Sequence, residues 1–255
     1  MKSMFKVATI LLFSALMIVG CSPNNEATST DEQPKSNVSA DMPDKKEKGS
    51  IDISNLNGFV ETDKSIETHY LFGGAAIKNT GETTIEIKST QFNFEGKDGS
   101  ILGTLSPAIP AMPAILKPGE IAYTGGSNPI QGLQTIDPEN FDKATINIDF
   151  DSVNDDKPRS EWKFDHLQAR KTQYGEIQVT GKITNKTKEK SNDIWIYTAL
   201  IDKNGKVLIV LGTNVDVSLN PDATIGFTAQ EYGVSPKILD KVDKIEAVAV
   251  TSNNP

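Results

Sequence analysis

"YLFGGAAIKNTG" from Tyr70 and "EIQVTGKITNKT" from Glu176, set one above the other, place Ile77 on Ile183 and Asn79 on Asn185. At the same offset of 106 residues, "FNFEGKDGSIL" from Phe92 falls on "TALIDKNGKVL" from Thr198, matching Gly99 with Gly205 and Leu102 with Leu208. "LKPGEIAYTG" from Leu116 then meets "LNPDATIGFTA" from Leu219, and "FDKATINID" from Phe141 meets "VDKIEAVAV" from Val242. Four blocks in one order are an internal repeat. They predict two homologous domains, 51–155 and 158–255, joined near the acidic turn "DSVNDDKP" that starts at Asp151.

Each block has a physical reading. "KDGS" and "KNGK" are hairpin turns, because Gly99 and Gly205 accept positive φ and Asp98 or Asn204 tolerates left-handed geometry. Pro118 and Pro221 preset the first corner of a turn before the next strand. Asn79 and Asn185 end a strand where a side-chain amide can satisfy loose backbone groups.

Between the turns the texture is short and alternating. Ile85 and Ile87, then Phe92 and Phe94, stand at two-residue spacing, as do Ile177 and Val179, and Ile146, Ile148 and Phe150. That period predicts half-buried strands. Ile194 and Ile196 alternate with Trp195 and Tyr197, and Trp195 is expected in the core. Helix is minor, a turn or two around Pro236 to Val242. The fold class expected is all-β: two tandem antiparallel β-sandwiches, preceded by a signal peptide and a disordered tether.

The 255-residue chain carries a net charge of -8 and a single cysteine, Cys21. Processing before Cys21 removes two lysines and leaves the chain near -10. A nucleic-acid binder needs a basic stripe to neutralise phosphates, and the sequence has none. The same charge repels anionic lipid, so a membrane attachment has to come from something other than the protein surface. One cysteine forms no intramolecular disulfide.

Lys2 and Lys6 precede an apolar run of 13 residues, Val7 to Val19. The run is short for a bilayer span, which needs about 20 residues, and suits a signal peptide over 1–20. Ile18, Val19, Gly20 and Cys21 resemble the lipobox of bacterial lipoproteins, which implies cleavage between Gly20 and Cys21 and a diacylglyceryl group on the Cys21 thiol. Residues 21–50 are polar, with Pro23, Pro34 and Pro43, and bury too little apolar surface to order themselves. As a flexible tether they reach on the order of 30 Å.

The repeat also resembles the bacterial FxLYD family and related telokin-like lipoprotein domains. Gly181, Ile183, Asn185, Leu200, Asp202, Gly205, Leu219, Pro221 and Phe227 carry the likeness in the second repeat. Ile77, Asn79, Phe92, Phe94, Gly99, Leu116, Pro118, Gly119 and Tyr123 carry it in the first, with Gly74 or Ala75 at the leading small position. Thr198 stands where the family has its Phe, Gly96 replaces the motif Asp, and Asp222 replaces the glycine after proline. The resemblance implies an immunoglobulin-like antiparallel β-sandwich in each repeat, an extracytoplasmic lipoprotein, and no catalytic residues.

The chemistry-bearing residues point the same way. His69 and His166 sit in different repeats, neither beside another His or a Cys, and there is no nucleophile elbow or phosphate loop. Asp149, Asp151, Asp155 and Asp156 form an acidic cluster that can be weighed as a calcium site, although it lacks the glycine and terminal Glu of an EF-hand loop. "SPAIPAMPAILKPG", Ser106 to Gly119, is a stiff apolar loop that cannot pair as a central strand. It either packs over a sandwich edge or offers Ile109, Met112 and Ile115 to a partner.

The expectation is a non-enzymatic binding module, without cofactor, tied to a cell membrane through Cys21 on the extracytoplasmic face and meeting an envelope protein. Abundant Lys, Asn and Ile suggest a Gram-positive source. The alternative is a solute-binding or accessory subunit of a transporter or envelope-stress system.

Overall fold

The computed structural model describes residues 49–63, 68–107, 109–129, 137–155 and 159–251, all within one compact unit, Lys45–Pro255. The expected signal peptide, 1–20, and nearly all of the expected tether, 21–50, therefore lie outside the described residues. The first half contributes β1 (Ile51–Asp52), β2 (Asn57–Asp63), β3 (Thr68–Asn79), β4 (Ile85–Gly96), β5 (Ile101–Leu105), β6 (Ile109–Met112), β7 (Ile115–Leu116), β8 (Ile121–Pro129) and β9 (Phe141–Ser152). The second contributes β10 (Trp162–Lys171), β11 (Ile177–Asn185), β12 (Ile194–Asp202), β13 (Val207–Val215), β14 (Thr224–Glu231) and β15 (Val242–Thr251).

All pairings between these strands are antiparallel, and the protein is an all-β sandwich. In the first half β3 is flanked by β8 and then β6 on one edge and by β2 and β1 in succession on the other; β4 is flanked by β9 and by β5 and β7. In the second half the sheets are β10-β11-β14 and β13-β12-β15. The halves share one plan, in which β2, β3, β8, β4, β5 and β9 correspond to β10, β11, β14, β12, β13 and β15.

The turn chemistry explains why the repeat recurs in space. Gly99 and Gly205 take φ of 79° and 83°, and their N–H groups donate to Gly96 O and Asp202 O at 2.9 Å. Asp222 adopts φ 60°, the left-handed region that Gly119 occupies at φ 85°. The substitution for glycine thus keeps the turn, because Asp tolerates that region better than most residues. A 3-10 helix, Pro236–Lys241, is capped by Ser235, whose Oγ accepts from Lys237 N; a shorter one, Pro138–Asn140, precedes β9.

Each half has its own core. Ile77, Ile85, Leu116, Leu71, Phe92 and Phe94 fill the first sandwich. Ile183, Ile194, Ile196 and Phe227 fill one end of the second, and Ile177, Val179, Leu200 and Leu211 the other. A further cluster joins the halves: Ala76, Ile109 and Tyr123 pack on Tyr197, Ala199, Ile201, Val207 and Val210. The β3 sheet therefore lies face to face with the β12 sheet, and four sheets stack in the order β4, β3, β12, β11.

Burial on two faces separates the inner strands from the alternating pattern expected of half-buried ones. Every residue from Leu71 to Ile77 is buried, as is every residue from Ile196 to Ile201. The small side chains in "YLFGGAAI" are needed for this close stacking. A Cβ on Gly73 would meet the Phe92 ring at 2.7 Å, and one on Gly74 would meet Val207 O at 2.8 Å.

Trp195 departs from its expected place in the core and is 43% exposed, while Tyr197 two residues on is buried. Both project from the outer face of the β12 sheet, but only Tyr197 lies under the first half. The proline-rich segment crosses from sheet to sheet, with β6 at the outer edge of the β3 sheet and β7 on β4. An edge position is where proline can sit without removing a ladder hydrogen bond.

Candidate functional site

The residues singled out in the sequence fall in separate places. Cys21 and Ile18, Val19 and Gly20 lie outside the described residues, as does Asp156. Asp149 and Asp151 are exposed on β9, opposite Ser89 and Glu86 of β4. The Lys88 ammonium answers them: its hydrogen bond to Glu86, reinforced by the charges of Asp151 and Asp149, raises its pKa. Asp155 is turned away and pairs with Arg159 Nη2 at 3.1 Å. Among the described residues no three His, Cys, Asp or Glu side chains converge to hold a metal ion.

Ile109 is buried against the second half, with Met112 packed on the same cluster, and Ile115 is half-buried in β7 beside Glu86. Arg159 Nη2 also donates to Ile115 O at 3.3 Å, which ties the start of the second half to the proline-rich segment. His69 Nδ1 lies 2.9 Å from Thr62 Oγ1, and His166 takes φ 55° at the bulge in β10. Among the described residues no helix is long and apolar enough to cross a membrane.

Three further polar contacts between the halves use carboxylates as acceptors, beside the backbone bond from Val207 N to Asn55 O at 3.0 Å. Tyr123 Oη donates to Glu246 at 3.0 Å, Ser127 Oγ to Glu231 at 3.1 Å, and Ser235 N to Glu61 at 2.7 Å. Burial, and then the Glu246 charge, push the Tyr123 hydroxyl pKa well above its ordinary value. Glu246 is itself held low, mainly by its hydrogen bond from Lys244. Burial raises Glu231, against the opposing hydrogen bond from Ser127.

Three of the concavities among the described residues adjoin this framework. Two lie along the seam between β10 and β15, where the second sandwich is open. One, about 480 Å3, is walled by Leu167, Ala169, Leu239 and Ile245 with Arg170 and Lys244 at its rim. The other, about 300 Å3, lies beside Ile121, Trp162, Phe164 and Val250. The Trp162 indole Nε1 is buried there without a hydrogen-bond partner. The matching seam of the first sandwich is shut, since a Cβ on Gly58 would collide with the Ala144 Cβ.

The third concavity, about 350 Å3, draws its walls from both halves. Glu61 and Thr62 come from β2, Tyr174 and Glu176 from the β10–β11 turn, and Tyr232 to Ser235 from the segment after β14. Tyr174 and Tyr232 are 80% and 64% exposed. Because Ile177 pairs with Glu231, Glu176 and Tyr232 sit side by side at the same sheet end. Glu176 accepts from Thr172 Oγ1 at 3.0 Å and from the Gln230 side-chain amide. None of these residues stands out by spacing or motif. The one signal in the sequence is a pair of Tyr-Gly dipeptides, Tyr174-Gly175 and Tyr232-Gly233, placed at strand ends.

No protein-family model and no curated protein matches this chain. A search of solved structures finds a calcium-binding mutant of Bacteroides uniformis beta-glucuronidase 2, 11% identical, with a TM-score of 0.27. The match covers 80% of this chain and 31% of the enzyme. The chain thus spans less than a third of that protein, and a likeness of this size bears on neither fold nor activity.

Proposed function

We propose that this chain is a lipid-anchored, non-enzymatic binding module on the extracytoplasmic face of a cell membrane. The observation that carries the anchoring is the sequence Ile18-Val19-Gly20-Cys21 after a 13-residue apolar run, on the only cysteine of the chain. A single acyl chain binds membranes marginally, whereas a diacylglyceryl group supplies two. The likeness of both repeats to FxLYD-type lipoprotein domains supports the same reading. The binding role rests on the surfaces: aromatic rings and acceptor carboxylates gathered at open clefts are suited to holding a ligand.

Cys21→Ala tests the anchor. The variant should appear in the soluble fraction or remain uncleaved, and should not take up a labelled fatty acid, whereas the parent sediments with membranes. Normal cleavage together with normal membrane retention would overturn the reading. A solute-binding or accessory subunit of a transporter or envelope-stress system is the second reading. One observation favours it, the cleft whose walls come from both halves. Crosslinking on intact cells separates the two, since an accessory subunit captures a transporter component and a free-standing module does not.

A further inference from the structure

The cleft between Glu61 and Tyr232 combines features that structural packing does not require. Tyr174 and Tyr232 are large aromatic side chains, yet they remain 80% and 64% exposed. Among the described residues, Tyr232 Oη meets the Gln230 amide at 3.5 Å. Exposed aromatic rings grouped at a concavity mark binding surfaces more often than folding needs.

The carboxylates beside them are held in place but not neutralised. Glu61 is fixed by Ser235 N at 2.7 Å, and Glu176 by Thr172 Oγ1 at 3.0 Å and by Gln230. These bonds engage one oxygen of each carboxylate, Oε2, and among the described residues neither group has an ion pair. Lys171 passes the cleft with its Cε 4.0 Å from where a Gly175 Cβ would stand, without pairing with either acid. Ordinary surface acids are scattered and solvated. Here two sit in one concavity of about 350 Å3, whose lining also includes Tyr174 and Tyr232.

We propose that this cleft binds an organic cation, an alkylammonium head group lodged between the Tyr174 and Tyr232 rings and facing the Glu61 and Glu176 carboxylates. A cation is attracted to the face of an aromatic ring, and the attraction grows as water is excluded. Two uncompensated carboxylates add the charge complementarity that a neutral sugar would leave unused. The proposal rests on reading the body as a binding module and is independent of the lipid anchor, so the Cys21→Ala result and the result below can fail separately.

The test is calorimetric titration of the purified full chain with choline chloride, with N-acetylglucosamine as the neutral arm. Choline should bind with millimolar affinity that weakens as sodium chloride is raised, because exposed charges are screened. Tyr174→Ala and Tyr232→Ala should each weaken binding about two- to fivefold. Glu61→Gln combined with Glu176→Gln should remove most of the salt dependence. Melting curves on each variant separate lost binding from lost folding, and both tyrosines are exposed enough to leave the fold intact. Absence of choline binding at concentrations on the order of 0.1 M would overturn the proposal. So would binding unchanged in the Tyr174→Ala, Tyr232→Ala double variant, or binding of the sugar with choline silent.

Discussion

Asn79 and Asn185 show how one side chain can close a sandwich corner. Each is fully buried, each Nδ2 donates to two carbonyls, and each Oδ1 accepts from the backbone N–H two residues on. The partners correspond: Thr83 O and Leu116 O at 2.8 Å for Asn79, Glu189 O at 2.8 Å and Leu219 O at 2.9 Å for Asn185. The sequence revealed this role because the whole motif is short, an Asn at a strand end followed by turn residues. Asn185→Ala leaves the Thr187 N–H without its acceptor and takes one of two donors from the Glu189 and Leu219 carbonyls, which keep those of Thr187 Oγ1 and Ser191 N; a buried group left unpaired costs about 1–3 kcal/mol. The expected loss is about 1–3 kcal/mol, read as a lowered midpoint in urea with an unchanged slope. Asn185→Asp keeps the acceptor and loses both donations, so at neutral pH it should be at least as damaging. A midpoint unmoved by Asn185→Ala would show that water replaces the side chain and that the corner closes without it.

At the scale of strands, what the sequence disclosed depended on how many neighbours set the outcome. Outer strands such as β11 alternate, because one face packs and the other meets solvent, and Ile177, Val179 and Ile183 are buried as their spacing implied. The inner strands do not alternate, and the reason lies in the other half of the molecule. Trp195 and Tyr197 share a face of β12, and nothing local tells which one the first half covers. The cleft tyrosines were invisible for a related reason: a Tyr in a turn carries no period, and Glu61 joins Tyr174 and Tyr232 only through the fold. "GGAA" at Gly73 to Ala76 reads locally as a weak strand, since glycine costs backbone entropy. Its purpose becomes visible only when Val207 O is found 2.8 Å from where a Gly74 Cβ would sit. Gly74→Ala therefore forces a Cβ against the Val207 carbonyl, which as backbone cannot swing aside, and should cost about 1–3 kcal/mol. Gly226→Ala is the control, because its Cβ would have only Gly181 O, at 3.8 Å, for a neighbour. That variant should lie within about 0.5 kcal/mol of the parent. Chemical denaturation of the two side by side checks the pair, and equal stabilities would mean the sheets can separate slightly at no cost.

At the scale of the whole molecule, the repeat explains the two sandwiches but not the face they share. Tyr197, Ile201, Val207 and Val210 of the second half are buried by Ala76, Ile109 and Tyr123 of the first. Burying a large apolar side chain is worth about 1.5–3 kcal/mol, and sums of such values are upper bounds. Four of them come to roughly 6–12 kcal/mol, which is comparable to the entire stability of an ordinary domain. Ser127 to Glu231, Ser235 to Glu61 and Tyr123 to Glu246 add hydrogen bonds across the same face. A half that loses this face therefore gives up most of the margin that keeps it folded. The full chain should melt in one calorimetric transition, with a van't Hoff enthalpy equal to the calorimetric one. The fragment 158–255 produced alone should bind a hydrophobic dye and give poorly dispersed amide resonances, because the outer face of its β12 sheet is left in water. Adding the fragment 51–155 should restore dispersion if the face is the missing element. Two separate transitions in the full chain, or a well-dispersed spectrum from 158–255 by itself, would mean that each sandwich holds its fold without the other and that the shared face only sets their orientation.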